Sequence, residues 1–216
     1  MRHARWIRIS HWVSALSLLT LVLTGSEILM VHPRLYWGDA GNDLMPALIE
    51  LPISRNYKHG GWDTPMAFSQ NGTPSGPVSA ARTYDIFNEN GWGRSLHFLA
   101  GWCLVATGLF YVGMGAAQGH FRANLWSGGH YGRLQRNTYL LVIFVAAPLI
   151  IATGLTMAPA VTAALPILLR LFGGYQSART IHFATFVALV LFTCAHVVMV
   201  IRSGFKRQMR AMTVGE

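Results

Sequence analysis

Nine histidines stand in a chain of 216 residues. Four of them, His11, His97, His182 and His196, lie in or at the edge of long apolar runs. A histidine inside a membrane-length apolar segment is costly and marks a functional site. His182 and His196 are fourteen positions apart in one such run. At 3.6 residues per turn this is close to four turns, so both imidazoles share a helix face about 21 Å apart. Zinc ligands would instead fall within about one turn of each other. Iron held by two axial imidazoles needs a partner for each of these residues. Four antiparallel crossings supply them, with His11 level with His196 and His97 level with His182. The four histidines are therefore expected to be the iron ligands of two stacked b-type haems. The His11–His196 pair is expected on the inner side and the His97–His182 pair on the outer side.

Glycines and arginines near these positions extend the reading. A flat macrocycle lying against a helix needs a missing side chain at the contact. Gly25 is fourteen residues after His11, on the same face at the outer level, and Gly108 is eleven after His97, near the inner level. Packing of membrane helices would use the same glycines without any cofactor. Arg94 and Arg179 each precede an outer histidine by three residues, as Arg8 precedes His11. Arginine binds carboxylates bidentately, so Arg94 and Arg179 are expected to hold haem propionates. Arg8 fits a positive flank equally well. His3, His32, His59, His120 and His130 fall at span ends or in loops and are expected to be solvated or interfacial.

The elements that position these residues follow from composition. Hydrophobic residues make up 52% of the chain and charged ones 12%, against about a quarter charged in ordinary soluble proteins. Crossing a bilayer takes roughly 20 apolar residues. Four segments qualify, at about 10–31, 95–117, 138–158 and 179–202. The expected fold is an all-α membrane protein, a four-transmembrane-helix bundle forming one domain over 1–216. Its N-terminus is expected to be the first span and not a removed signal. The net charge of +9 does not call for nucleic acid. The cations cluster before the first span, between the second and third, and after the fourth, which puts both termini in the cytoplasm of a bacterial inner membrane. The long external loop 32–94 is turn-rich and aromatic, and is expected to be ordered with short helical pieces, a docking surface for an outside partner. Val161 to Phe172 is expected to be an interfacial helix. Cys103 and Cys194 lie within spans and are expected to be small apolar residues without a disulfide.

Several short stretches resemble one family when taken in order. They are RISHW followed by LTG, GRSLHF, HYGRLQRNTY, ATG, SARTIHF and AHVVM. This order is similar to the membrane cytochrome b subunits of Ni/Fe-hydrogenases, membrane formate dehydrogenases and thiosulfate-reductase-type enzymes. HPRLYWGDAGN in the external loop is similar to the last branch. The resemblance implies two b haems on the same four histidines, passing electrons between membrane quinone or quinol and an extracytoplasmic oxidoreductase. A periplasmic subunit of molybdopterin type is one such partner. It also implies a quinone site beside the inner haem, where Tyr131 and Gln135 match the family pattern and Gly132 replaces its asparagine. Other readings stay open at this point. They are a stand-alone di-haem carrier or quinone reductase without a permanent partner, and a haem-free transporter or anchor.

Overall fold

The first long helix, α1, runs Arg5–Val31. It stops one residue short of the His32–Pro33 step, because a residue preceding proline is pushed out of the helical region. The computed structural model describes residues 3–42, 45–53, 90–122 and 133–215. Two short strands follow α1, β1 (Arg34–Leu35) and β2 (Ile49–Glu50). Then come α2 (Asn90–Ala117) and α3 (Arg133–Leu141). A π-helical turn at Val142–Ala146 joins α3 to α4 (Ala147–Thr156). The short helices α5 (Pro159–Ala164) and α6 (Ile167–Phe172) lead to α7 (Tyr175–Arg202) and α8 (Phe205–Thr213). Among the described residues, four stretches are long and apolar enough to cross a bilayer: Arg5–Met30, Trp92–Ala117, Arg136–Thr156 and Tyr175–Arg202. Leu16, Leu19, Leu23, Leu109 and Leu191 on these helices are all more than half exposed. Such exposure would be a liability in water and is the normal condition of a lipid-facing side chain.

Local sequence explains the irregular points. Pro148 has no N–H to give the carbonyl of Phe144, and its ring crowds that carbonyl. The helix widens just before it, and Ala147 N–H bonds to Val142 O, five residues back. The single interfacial helix expected over Val161 to Phe172 is instead two helices. Leu165 leaves the helical region at φ −130° and ψ 68°, as a residue before Pro166 tends to do. The short helical pieces expected in the outer loop are replaced, over its described residues up to Ile53, by the antiparallel pairing of β1 with β2. Helix α8 was not anticipated from the sequence, since its nine residues are too few and too polar to register as a span.

The chain divides into two compact units. The first comprises 1–20, 99–151 and 184–216. Here the N-terminal turn of α1 is tied to the end of the chain. Arg8 Nη1 donates to Thr213 O at 2.8 Å, and Trp12 Nε1 donates to Met212 O at 2.9 Å. Trp6 Nε1 donates to Gln118 Oε1 at 2.9 Å, and its ring meets those of Tyr111 and His120. His120 also meets Phe121, which meets Phe144 within the π turn. Burial holds the imidazoles of His120 and His3 below their usual pKa, chiefly by desolvation. A depressed folded-state pKa means the unfolded chain takes up protons first. Stability is therefore expected to be unaffected above pH ~6.5, the ordinary histidine value, and to fall as the pH drops below it. Thermal melts of purified protein between pH 5 and 8 check this, and His120→Gln should flatten part of the slope.

The second unit comprises 21–98 and 152–183. Its organising feature is the docking of the segment after α1 onto the start of α7. Gly38 O accepts the N–H groups of Gln176 and Ser177 at 2.9 and 3.1 Å, satisfying two of the helix's orphan donors. Gly38 N–H donates to Ser177 Oγ at 2.7 Å, and Thr180 Oγ1 donates to Tyr36 O at 2.6 Å. Leu35 and Pro33, on the same segment, are fully buried. Glu27, buried near the end of α1, places its carboxylate where a side chain on Gly93 would stand. Gly93 is in the first turn of α2, the end of a helix that favours an anion.

Candidate functional site

Each unit brings two of the four histidines together. In the second, the rings of His97 on α2 and His182 on α7 have centroids 6.4 Å apart and planes at 59°. In the first, His11 on α1 and His196 on α7 are 6.2 Å apart at 61°. These are the two pairings expected from the spacing. Two imidazoles bonded to opposite sides of one metal at about 2 Å, a usual metal–nitrogen distance, have ring centres roughly 6 Å apart. Both pairs therefore fit a bis-histidine iron. Among the described residues, no group of three or more His, Cys, Asp or Glu converges as a multidentate metal site would require. The donor sets are pairs of neutral nitrogen ligands, which suits an iron whose other positions are filled by a macrocycle.

The surroundings of the His97–His182 pair repeat themselves on two helices. Thr24 Oγ1 on α1 lies 2.9 Å from His97 Nδ1, and Thr153 Oγ1 on α4 lies 3.0 Å from His182 Nδ1. The next residue is glycine in both cases. A Cβ on Gly25 would stand 3.4 Å from His97 Cε1, and one on Gly154 would stand 3.3 Å from His182 Cε1. Gly25 thus lies at the level of this pair, as expected, and what meets it is the imidazole itself. Gly154→Ala is expected to push the His182 ring by a few tenths of an ångström and to cost about 1 kcal/mol or more. A Cβ on Gly25 stands at nearly the same distance, 3.4 Å, so Gly25→Ala should have a similar effect on the His97 ring, and thermal melts of the two variants check that the glycines act alike. Thr24, Thr153 and Gly154 were not singled out from the sequence. The available signal was the Thr-Gly dipeptide, which recurs in the first and third spans and also, as Thr107-Gly108, in the second.

The His11–His196 pair has aromatic neighbours. Phe192 stacks on His196 with centroids 6.1 Å apart and planes at 23°, and Trp12 meets His11 edge-on at 5.4 Å. Tyr139 packs in turn on Phe192. Gly108 lies in the same unit, and a side chain there would meet nothing within 4 Å. Arg94 lays its guanidinium over the ring of Phe98 at 5.8 Å. Arg179 donates to the backbone carbonyl of His32 and, at 3.4 Å, to Gln176 Oε1. Gln135 falls within α3, and Tyr131 lies outside the described residues.

The sequence profile described as prokaryotic cytochrome b561 matches residues 2–215. The chain belongs to the prokaryotic cytochrome b561 family. It is accordingly a multi-pass membrane protein of b-type haem. A curated relative of this cytochrome is the putative protein-methionine-sulfoxide reductase subunit YedZ1 of Azospira oryzae, 26% identical over 92% of this chain and 89% of the relative. No solved structure matches it significantly.

Proposed function

We propose that this cytochrome holds two b haems, one on His11 and His196 and one on His97 and His182, and carries electrons between membrane quinone and an oxidoreductase outside the cytoplasmic membrane. The observation that carries this reading is the pair of 6.4 and 6.2 Å ring separations at two places on one helix. A bound haem supplies one-electron transfer, and the protein supplies ligation, environment and spacing. The relative's description as a reductase subunit supports a partner enzyme, of molybdopterin type on the resemblance stated above. Arg94 and Arg179 remain the residues that would meet propionates of the outer haem. Tyr131 and Gln135 are the residues that would meet quinone. Both termini are cytoplasmic on this reading. The binding of Arg8 and Trp12 at one end of the chain to Thr213 and Met212 at the other supports their lying on one side.

The test is the purified protein. A reduced-minus-oxidised spectrum should show a b-type α-band, and pyridine haemochrome assay should give two haems per chain. A ratio of one sinks the two-haem reading, and absence of the band sinks the electron-transfer reading altogether. Affinity purification from native membranes should bring down an oxidoreductase subunit, and removal of part of loop 32–94 should abolish its reduction of, or by, the haems. Partner-dependent haem reduction that survives this deletion would leave the loop without a docking role.

A further inference from the structure

Two threonines on two different helices make the same contact with two different ligands. Thr24 and Thr153 have 2% and 0% of their surface exposed. Their hydroxyls reach the Nδ1 atoms of His97 and His182 at 2.9 and 3.0 Å. The glycine after each lies along the Cε1 edge of the same ring, at distances that agree within 0.1 Å between the two helices. Chance packing of one threonine against one imidazole would not repeat in this detail. The His11–His196 pair differs. Among the described residues its rings are flanked by Trp12 and Phe192 in place of such hydroxyls.

We propose that Thr24 and Thr153 are positioning residues of the outer haem, each hydroxyl accepting the Nδ1–H of one axial histidine. This rests on the reading of His97 and His182 as the axial pair of one haem. A metal takes a neutral imidazole through its unprotonated nitrogen, and the other nitrogen then carries hydrogen and needs an acceptor. A threonine oxygen has lone pairs to accept while its own proton goes elsewhere. Thr20 and Thr156, one turn away on the same two helices, send theirs to the carbonyl four residues back. With Nδ1–H engaged, Nε2 is left as the iron-binding nitrogen on both sides. The bond also fixes rotation of the ring about Cβ–Cγ, and the glycine leaves room for the ring at that one angle. Finally, an accepted hydrogen bond makes the imidazole a stronger donor. That favours ferric over ferrous iron and sets the outer haem's potential lower than the same pair without the bonds.

The experiment is redox potentiometry of purified protein, followed in the α-band, on Thr24→Val, Thr153→Val and the double variant. Haem content is measured in parallel, and the outer haem is assigned as the one missing from His182→Ala. The expected result is two haems retained, an outer haem that is easier to reduce, and an inner haem unchanged. At fixed ambient potential the ferrous-to-ferric ratio of the outer haem should rise about tenfold in the double variant, a shift of ~59 mV for one electron. Thr→Ser at both sites should restore the wild-type value, because serine keeps the hydroxyl. An outer potential that stays put, or falls, in the valine variants overturns the proposal. Should valine cost the haem itself, Thr→Ala is the variant to titrate. Haem loss in alanine with retention in serine supports the hydroxyl's role, and loss in serine as well overturns it. His182→Ala with unchanged haem content would instead remove the underlying ligand assignment, a separate failure.

Discussion

His182→Ala is expected to leave the protein folded in the membrane with one haem in place of two, so that the α-band amplitude falls by about half. The reason is geometric. His182 faces His97 across 6.4 Å, and Thr24, Gly25, Thr153 and Gly154 surround the pair. No other histidine on α7 is within a turn of it, so nothing replaces the lost nitrogen. His196→Ala should remove the other half of the band through the His11–His196 pair. On the proposed function, electron transfer between quinone and an external oxidoreductase would pass through both haems and should vanish in both variants. The discriminating measurement is haem per chain on protein whose circular dichroism and expression match wild type. A variant that keeps two haems would show that the pair is structural.

Gly174→Ala should be among the most damaging changes outside the ligands, and Gly173→Ala, one residue earlier, a mild one. Both glycines have positive φ, 70° and 110°. Gly173 is in the left-handed helical region that closes α6, with Gly174 N–H returning to Leu169 O at 2.8 Å. An alanine there costs about 1–2 kcal/mol and meets only Ser177 Oγ, at 3.8 Å. At Gly174 a Cβ would lie 2.5 Å from the carbonyl carbon and oxygen of Gly38 and closer still to the Asp39 carboxylate. Backbone cannot rotate away as a side chain can. The segment carrying Gly38 must lift, and with it go the bonds from Gln176, Ser177 and Thr180 that seat it on α7. The expected loss is about 3 kcal/mol or more, with protease sensitivity appearing at residues 33–42. Differential scanning fluorimetry and limited proteolysis of the two variants side by side check the contrast.

Much of this architecture is legible in the sequence for one physical reason. Apolar runs of membrane length can satisfy their backbone only as helices, and antiparallel crossings then fix which ends share a depth. That is why His11 could be matched to His196 and His97 to His182 before any coordinates. The helix ends were less visible, because α1, α2 and α7 run past the apolar windows into polar turns. Pro166 and Arg170 visibly interrupt the apolar run Val161 to Phe172, yet only the backbone shows that the break at Leu165 makes two helices of it. The strand pair β1–β2 has two residues on each side, too few for alternation to register. Thr24 and Thr153 stood out in the sequence only as parts of the LTG and ATG stretches, with no role attached. A threonine within a span is commonplace, and only the partner across the helix interface, seventy or so residues away for Thr24, gives it meaning.

Helix α7 holds one member of both histidine pairs, and it is the last of the long helices. A nascent chain that has threaded three spans into the bilayer therefore owns two half-sites and no complete one. On the proposed pairing, one iron would gain its second ligand only with His182 and the other only with His196. Haem insertion on these proposed ligand pairs would have to wait for α7 to be made. Chains arrested before Tyr175 should then remain colourless.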